Sequence, residues 1–221
     1  MLVCKEGLCP NSQRWRSGDG IMPTYKLQTP ITKQAVQKLK VRDIVFVSGK
    51  IITMRDQSHK KALKYLKLGK PIPVKVENSV VFHCGPLVKK TRGKWKVFAA
   101  GPTTSARMEP FEAEFIEKFK PRMIVGKGGM GALTTEAMQE HGGVYCDFPG
   151  GAAALGARAI KKILGGRWLD LGLPEAIWIF EVKNFGPLIV TIDSHGRNLH
   201  EQVVKRVERR KLGIYKILGL R

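Results

Sequence analysis

From Trp95 onward the chain repeats one unit three times: a short apolar run, a glycine-containing turn, then a helix-forming stretch. Lys96-Val97-Phe98-Ala99-Ala100 leads into Gly101-Pro102 and a helix expected from Pro110 to Phe119. Met123-Ile124-Val125 leads into Gly126-Lys127-Gly128-Gly129 and a helix from Leu133 to His141. Val144-Tyr145-Cys146 leads into Pro149-Gly150-Gly151 and an Ala-rich helix running to Leu164. Apolar runs this short, separated by helical spacing, predict α/β layering.

The segment before Trp95 is richer in strand signals. Leu27 to Pro30, Asp43 to Ser48, Gly49 to Thr53 and Ser79 to His83 read as short strands. Helices are expected from Thr32 to Lys40, with Ala35, Val36 and Leu39 on one face, and from Arg55 to Leu68, with Ala62, Leu63 and Leu66. Gly69-Lys70-Pro71 ends the second. After the repeats, Ile177 to Val182 and Leu188 to Ile192 read as strands around a Phe185-Gly186-Pro187 turn, and Asn198 to about Lys211 as an amphipathic helix. One continuous domain is the simplest organisation, with a β-rich first part packed against a βαβ layer.

A 221-residue chain that is 43% hydrophobic has ample material for a buried core. No apolar run approaches the roughly 20 residues that span a bilayer, so no membrane role is expected. The 39 Lys and Arg against 18 Asp and Glu leave a formal charge of +21, which suits nucleic acid, an acidic partner subunit or a dianionic substrate. The basic residues form scattered short clusters, Lys60/Lys61, Lys89/Lys90, Lys161/Lys162 and Arg209/Arg210/Lys211, without one dominant tract. Nucleic-acid binding is therefore the weaker reading. Cys4, Cys9, Cys84 and Cys146 show neither CxxC spacing nor a disulfide framework, which fits a reducing cytoplasm.

Residues 1–21 contain no signal-like apolar stretch. Met22 directly precedes Pro23-Thr24-Tyr25-Lys26-Leu27, where ordered-looking sequence begins. Residues 1–21 are expected to be a tail, disordered or an overcalled start, and residues 22–221 the domain with its basic C-terminal helix.

Three segments offer chemistry. Phe98 to Met108 holds Gly101-Pro102-Thr103-Thr104-Ser105-Ala106-Arg107, which places hydroxyls and a guanidinium after a strand. That composition serves either as an oxyanion or carboxylate cradle or as an ordinary helix cap with Arg107 in solvent. Gly126-Lys127-Gly128-Gly129-Met130-Gly131 brings a lysine into a turn whose glycines permit close backbone approach; it lacks the GxxxxGK[ST] order of a nucleotide loop. Gly49 to Lys60 carries a strand into a helix start where Arg55 can face a ligand, while Asp56 and Ser58 can equally be caps and His59 a solvated helix residue. Asp193-Ser194-His195 superficially offers a nucleophilic set, but adjacent residues do not converge as a triad must. His83, His141 and His200 carry no partner pattern that marks them out.

In this order, Gly49-Lys50-Ile51-Ile52-Thr53-Met54-Arg55-Asp56, Ala100-Gly101-Pro102-Thr103-Thr104-Ser105-Ala106-Arg107-Met108 and Gly126-Lys127-Gly128-Gly129-Met130 resemble the C-terminal domain of class I fumarases, which in two-subunit fumarases and L-tartrate dehydratases is a separate β chain. The resemblance runs from about Tyr25 to Asn198. It implies a swivelling β/β/α domain and the β subunit of a hydro-lyase that hydrates fumarate to L-malate, or alternatively dehydrates tartrate. By position it implies that Arg55, Arg107 and Lys127 bind substrate carboxylates. Thr103 and Thr104 would lie against the carbon that exchanges a proton, with Thr103 the candidate base. It also implies a 4Fe-4S cluster held by three cysteines of a partner α subunit, in a hetero-oligomer, with no metal ligand on this chain.

Overall fold

In a computed structural model of the chain, residues 9–10, 15–17 and 20–219 are described. Of the segment expected to be a tail, the described parts form β1 (Cys9–Pro10), β2 (Trp15–Ser17) and β3 (Gly20–Met22); its other positions lie outside the described residues. The chain continues through β4 (Thr24–Gln28), α1 (Lys33–Gln37), β5 (Ile44–Met54), α2 (Asp56–Lys67) and β6 (Val80–His83). A hairpin of β7 (Leu87–Thr91) and β8 (Lys94–Ala99) follows, then α3 (Glu109–Phe119), β9 (Met123–Gly126), α4 (Ala132–His141) and β10 (Val144–Asp147). The last elements are α5 (Ala153–Ala159), β11 (Ile160–Arg167), β12 (Ile177–Ile192) and α6 (Leu199–Ile217).

Eight strands form one sheet in the order β1-β4-β5-β6-β9-β10-β12-β11, and a further β5–β12 pairing closes five of them into a ring. Strands β4, β5, β6, β9 and β10 run parallel, and β12 lies antiparallel to both β5 and β10. Alternate side chains of the parallel strands point to opposite faces, so β5, β6, β9 and β10 each serve two cores. Val80, Phe82, Met123, Val125, Val144 and Cys146 enter one, with Phe148, Trp178 and Phe185 from outside the parallel strands. Val81, Ile124 and Tyr145 enter the other, beneath Ala62 and Leu63 of α2, Phe115 and Ile116 of α3 and Met138 of α4. The α/β expectation holds, with helices over one face and β-structure over much of the other.

Four local expectations are corrected. The β-rich first part is no separate layer, because β6 pairs directly with β9 of the later repeats and β5 with β12 beyond them. Asp43 to Ser48 and Gly49 to Thr53 are one strand, in which Gly49 takes φ +102° and allows the chain to pass Thr29, whose hydroxyl would lie 2.3 Å from a Cβ there. Phe185-Gly186-Pro187 is not a turn but an irregularity inside β12, flanked by Phe185 paired with Val47 and Leu188 with Val45; a shift of register tolerates a proline without an N–H. The Ala-rich helix ends at Ala159, and Ile160 to Leu164 belong to β11, because pairing with β12 and packing of Ile160 and Ile163 on the core outweigh local helix propensity. Among the described residues, no helix is long and apolar enough to cross a membrane.

Candidate functional site

Strands β5, β6 and β9 are adjacent, and their carboxyl ends lie side by side: Met54 pairs with His83, and Phe82 with Val125. Arg55 leaves the end of the first of these strands and Lys127 the end of the third. The segment 100–108 reaches the same edge by backbone bonds. The Thr103 N–H donates to the His83 carbonyl at 2.7 Å, and the Ser105 N–H donates to the Lys127 carbonyl at 3.1 Å. Bridges Cys84–Pro102 and Thr104–Lys127 complete the attachment. Arg55, Thr103, Thr104, Arg107 and Lys127 thus share one strand-end edge, the usual ligand position of an α/β sheet. The apolar run before Gly101 differs from expectation: β8 pairs with β7 in a separate hairpin, so it is the loop, not its strand, that joins the parallel sheet.

Arg107 links two of the motifs. Its Nη2 donates to Thr103 Oγ1 at 2.8 Å and to Asp56 Oδ2 at 3.1 Å, while about half of its side chain stays open to solvent. Thr104 stands before the short 3-10 turn of Ser105–Arg107 but makes no capping bond through its side chain. The hydroxyls are not spent on a helix terminus. Arg55 is fixed differently: its Nη2 lies 3.3 Å from Glu175 Oε1, and Gly85 gives it room, since a Cβ at Gly85 would come within 2.2 Å of Nη1. Ser58 caps α2, its Oγ accepting from the Arg55 N–H at 2.7 Å. Two arginines, a lysine and two threonines therefore stand at one edge of the sheet, residue types matched to a small molecule with two carboxylates.

Beneath this edge lies a polar layer that the sequence did not disclose. His59, expected in solvent, is fully buried, as are His83, Ser105 and Glu112. His83 Nδ1 lies 2.9 Å from Ser105 Oγ, and the Nε2 atoms of His83 and His59 lie 3.4 and 3.6 Å from the two Glu112 oxygens. Burial by itself would raise the Glu112 carboxyl, but the two imidazoles outweigh it and hold the group down to about 2. Burial also lowers His83, whereas at His59 the Glu112 charge overrides burial and raises it. Ser105 also approaches Tyr145 across Gly126, where a Cβ would meet the Ser105 Oγ at 1.8 Å and the Tyr145 hydroxyl at 2.8 Å.

Other unforeseen residues brace the loops. Glu109 accepts from the Gly131 and Thr134 N–H groups and the Thr134 hydroxyl, tying the arginine loop to the start of α4. Asn198 donates to the Met130 carbonyl, and His200 packs against Gly129 while its Nε2 lies 2.6 Å from Asp147. Ser58, three residues after Arg55, is the sort of pattern that reveals a cap; nothing at comparable spacing connects Glu109 to Thr134 or His83 to Ser105.

The Asp193-Ser194-His195 sequence is a turn. Asp193 is buried and accepts from the N–H groups of Val41, His195 and Arg197 and from the Arg197 guanidinium, while His195 Nδ1 is 3.7 Å away. Cys84 and Cys146 sit in the core, and burial pushes both thiols far up, away from the thiolate that a cluster iron requires. No cluster ligand set exists among the described residues. Cys4 lies outside them.

The strand-end edge and its cationic loops define a member of an α/β family, and comparison identifies which: the profile described as Fumarase C-terminus matches residues 8–203, so the chain belongs to that family. The match is wider at both ends than the span of the three motifs. The chain is 47% identical over 178 residues to a protein of Methanocaldococcus jannaschii named putative L(+)-tartrate dehydratase subunit beta, covering 80% of this chain and 91% of the relative. It is 44% identical over 173 residues to the L(+)-tartrate dehydratase subunit beta of Escherichia coli K12, covering 78% of this chain and 85% of the relative. A putative class I fumarate hydratase of Geobacillus stearothermophilus is 44% identical over 190 residues, 86% of this chain but 36% of that longer protein.

Proposed function

We propose that this chain is the β subunit of a two-subunit iron-sulfur hydro-lyase acting on a four-carbon dicarboxylate, with reversible hydration of fumarate to L-malate as the expected reaction. The observation that carries the proposal is the gathering of Arg55, Thr103, Thr104, Arg107 and Lys127 at the ends of three adjacent parallel strands. Arg55 and Lys127 hold the carboxylates, and Arg107 serves both substrate and Thr103. Hydration adds the hydroxyl of a water to one alkene carbon and a proton to its neighbour; Thr103 supplies that proton and is restored by the proton the water gives up, and it takes the proton back in the reverse direction. A threonine hydroxyl is a very weak acid and base, and the cationic Arg107 donor at 2.8 Å favours its deprotonated form.

The 4Fe-4S cluster belongs in this proposal to a cysteine-bearing α subunit, where it would act as a Lewis acid toward the substrate hydroxyl. The exposed Phe98 and Leu133, on the elements flanking the two loops, suit a surface that such a partner covers. The associated fold is the swivelling β/β/α domain, supported by the separate cores on the two faces of the parallel strands. That domain begins at residue 22 in a cytoplasmic protein, and β1 (Cys9–Pro10) from the preceding segment adds an edge strand to its sheet. Tartrate dehydration is the second reading. It is favoured by the names of the relatives that this chain covers over most of their length.

Anaerobic purification of the chain with its bound partners, followed by turnover assays with fumarate, malate and tartrate, tests the proposal. Co-purification of an iron-bearing subunit with activity on one of these acids supports it and selects the substrate. A lone or nucleic-acid-bound chain, inactive even after recombination with the candidate α subunit, overturns it.

A further inference from the structure

We propose that His59, His83 and Glu112 form a binding site for one zinc-like divalent metal ion inside this chain, contrary to the expectation of no metal ligand here. The three residues come from separate elements, α2, the end of β6 and the first turn of α3, and each is fully buried. Their ligand atoms all lie within 4.8 Å of one another.

Each imidazole is oriented by its other nitrogen. His59 Nδ1 lies 2.8 Å from the Arg55 carbonyl, which can only accept, so Nδ1 carries hydrogen and Nε2, on the Glu112 side, is the nitrogen left to offer a lone pair to an ion. His83 is held at Nδ1 by the Ser105 hydroxyl, which can accept there and so permits the same tautomer. A metal-ligating histidine commonly has this arrangement, with the second nitrogen bonded to a carbonyl or polar side chain. The inward Nε2 atoms and both Glu112 oxygens have no hydrogen-bond partner. Four buried polar atoms facing one point is costly unless a charge lies among them.

The spacing fits an ion better than direct hydrogen bonds. Charge-assisted N–H···O bonds are about 2.7–2.9 Å long, whereas the imidazole nitrogens here stand 3.4 and 3.6 Å from the carboxylate oxygens. Donors about 2.1 Å from a tetrahedral ion stand about 3.4 Å apart, which the two nitrogen–oxygen separations match, while the whole ligand set lies within 4.8 Å. Two imidazoles and one carboxylate, which can bind through one or both oxygens, suit Zn2+ or a neighbouring divalent first-row ion and not Ca2+, Mg2+ or Cu+. Phe115, with its ring centroid 4.4 Å from that of His59, helps keep the site dry.

Such an ion cross-links the supports of the surface above it. His59 holds the Arg55 carbonyl, the His83 carbonyl accepts from the Thr103 N–H, and His83 Nδ1 meets Ser105. The proposal rests on these buried contacts and is independent of the identity of the substrate.

The test uses the full chain, stripped with chelator and then reconstituted with Zn2+ or Co2+. The expected result is about one ion per chain, a visible cobalt spectrum of a four-coordinate nitrogen–oxygen site and a higher melting temperature with the ion present. H83Q and E112Q should lose the ion and the spectrum, whereas C84S should retain both. If folded wild-type chain, checked by circular dichroism, takes up less than about one-tenth equivalent, the proposal is overturned and the three groups are a proton-bridged ion pair with the proton on His59. Retention of the same spectrum in H83Q or E112Q also overturns it. Because metal content and cobalt absorption are the readouts, misfolding of one variant does not decide the outcome.

Discussion

Arg107, on the surface, and Thr103, four residues earlier, are joined by a 2.8 Å hydrogen bond, and the same guanidinium nitrogen reaches Asp56 on α2. A single side chain thereby connects the loop of Gly101–Met108 to the helix that follows Arg55. A charged hydrogen bond of this kind contributes about 1.5–3 kcal/mol. R107A is expected to lower kcat/KM of the proposed hydro-lyase by about 10- to 100-fold. Its melting temperature should change little, because the side chain is half-exposed. T103S should keep most of the activity and T103V should lose it. Steady-state kinetics beside thermal unfolding checks both; equal activity of T103V and wild type removes Thr103 from the proton-transfer role.

Gly85 tests the placement of Arg55. A Cβ there would sit 2.2 Å from Arg55 Nη1 and 2.9 Å from the Pro174 carbonyl, so G85A must move the guanidinium or the backbone beside it. The expected effect is a KM increase of at least about 10-fold, the equivalent of roughly 1.4 kcal/mol of lost substrate binding. An unchanged KM would show that Arg55 does not bind substrate.

Gly126 is required for a different reason. Its missing side chain allows the Ser105 hydroxyl and the Tyr145 hydroxyl to meet over the end of β9, and a Cβ would lie 1.8 Å from the former. G126A is expected to cost about 1–3 kcal/mol through overpacking. Urea denaturation with a constant m-value would measure it; a stability equal to wild type would mean that the Ser105 loop readily moves aside.

Asp193 sets an acid limit on stability. Burial raises its carboxyl, but the Arg197 guanidinium and the backbone N–H groups of Val41, His195 and Arg197 outweigh that and lower it overall. A depressed folded-state value stabilises the fold above the unfolded carboxyl value of about 3.9, and that contribution is lost as pH falls through the folded value. D193N should therefore be less stable than wild type at pH 7 by about 1–3 kcal/mol, with the gap narrowing below pH about 4. Denaturation at several pH values checks this. A gap independent of pH would assign the loss to packing rather than charge.

The sequence by itself determined the layered α/β character and the candidate surface residues, because both depend on local signals. Apolar runs of strand length alternate with helical spacing, and Gly-Pro, Gly-Lys-Gly-Gly and Met-Arg-Asp mark the turns where those runs stop. It did not determine that Ile160 leaves a helix for β11, that Phe185 to Pro187 stays within β12, or that β5 and β12 close a ring. Those outcomes depend on pairing partners distant in the chain. Only the tertiary structure decided that His59, a polar residue near a helix start, would be buried beside His83 and Glu112. Helical position sets the direction of a side chain, but burial and pairing depend on which other elements pack against that face. A charge-bearing cluster assembled from α2, β6 and α3 leaves no common spacing in the sequence.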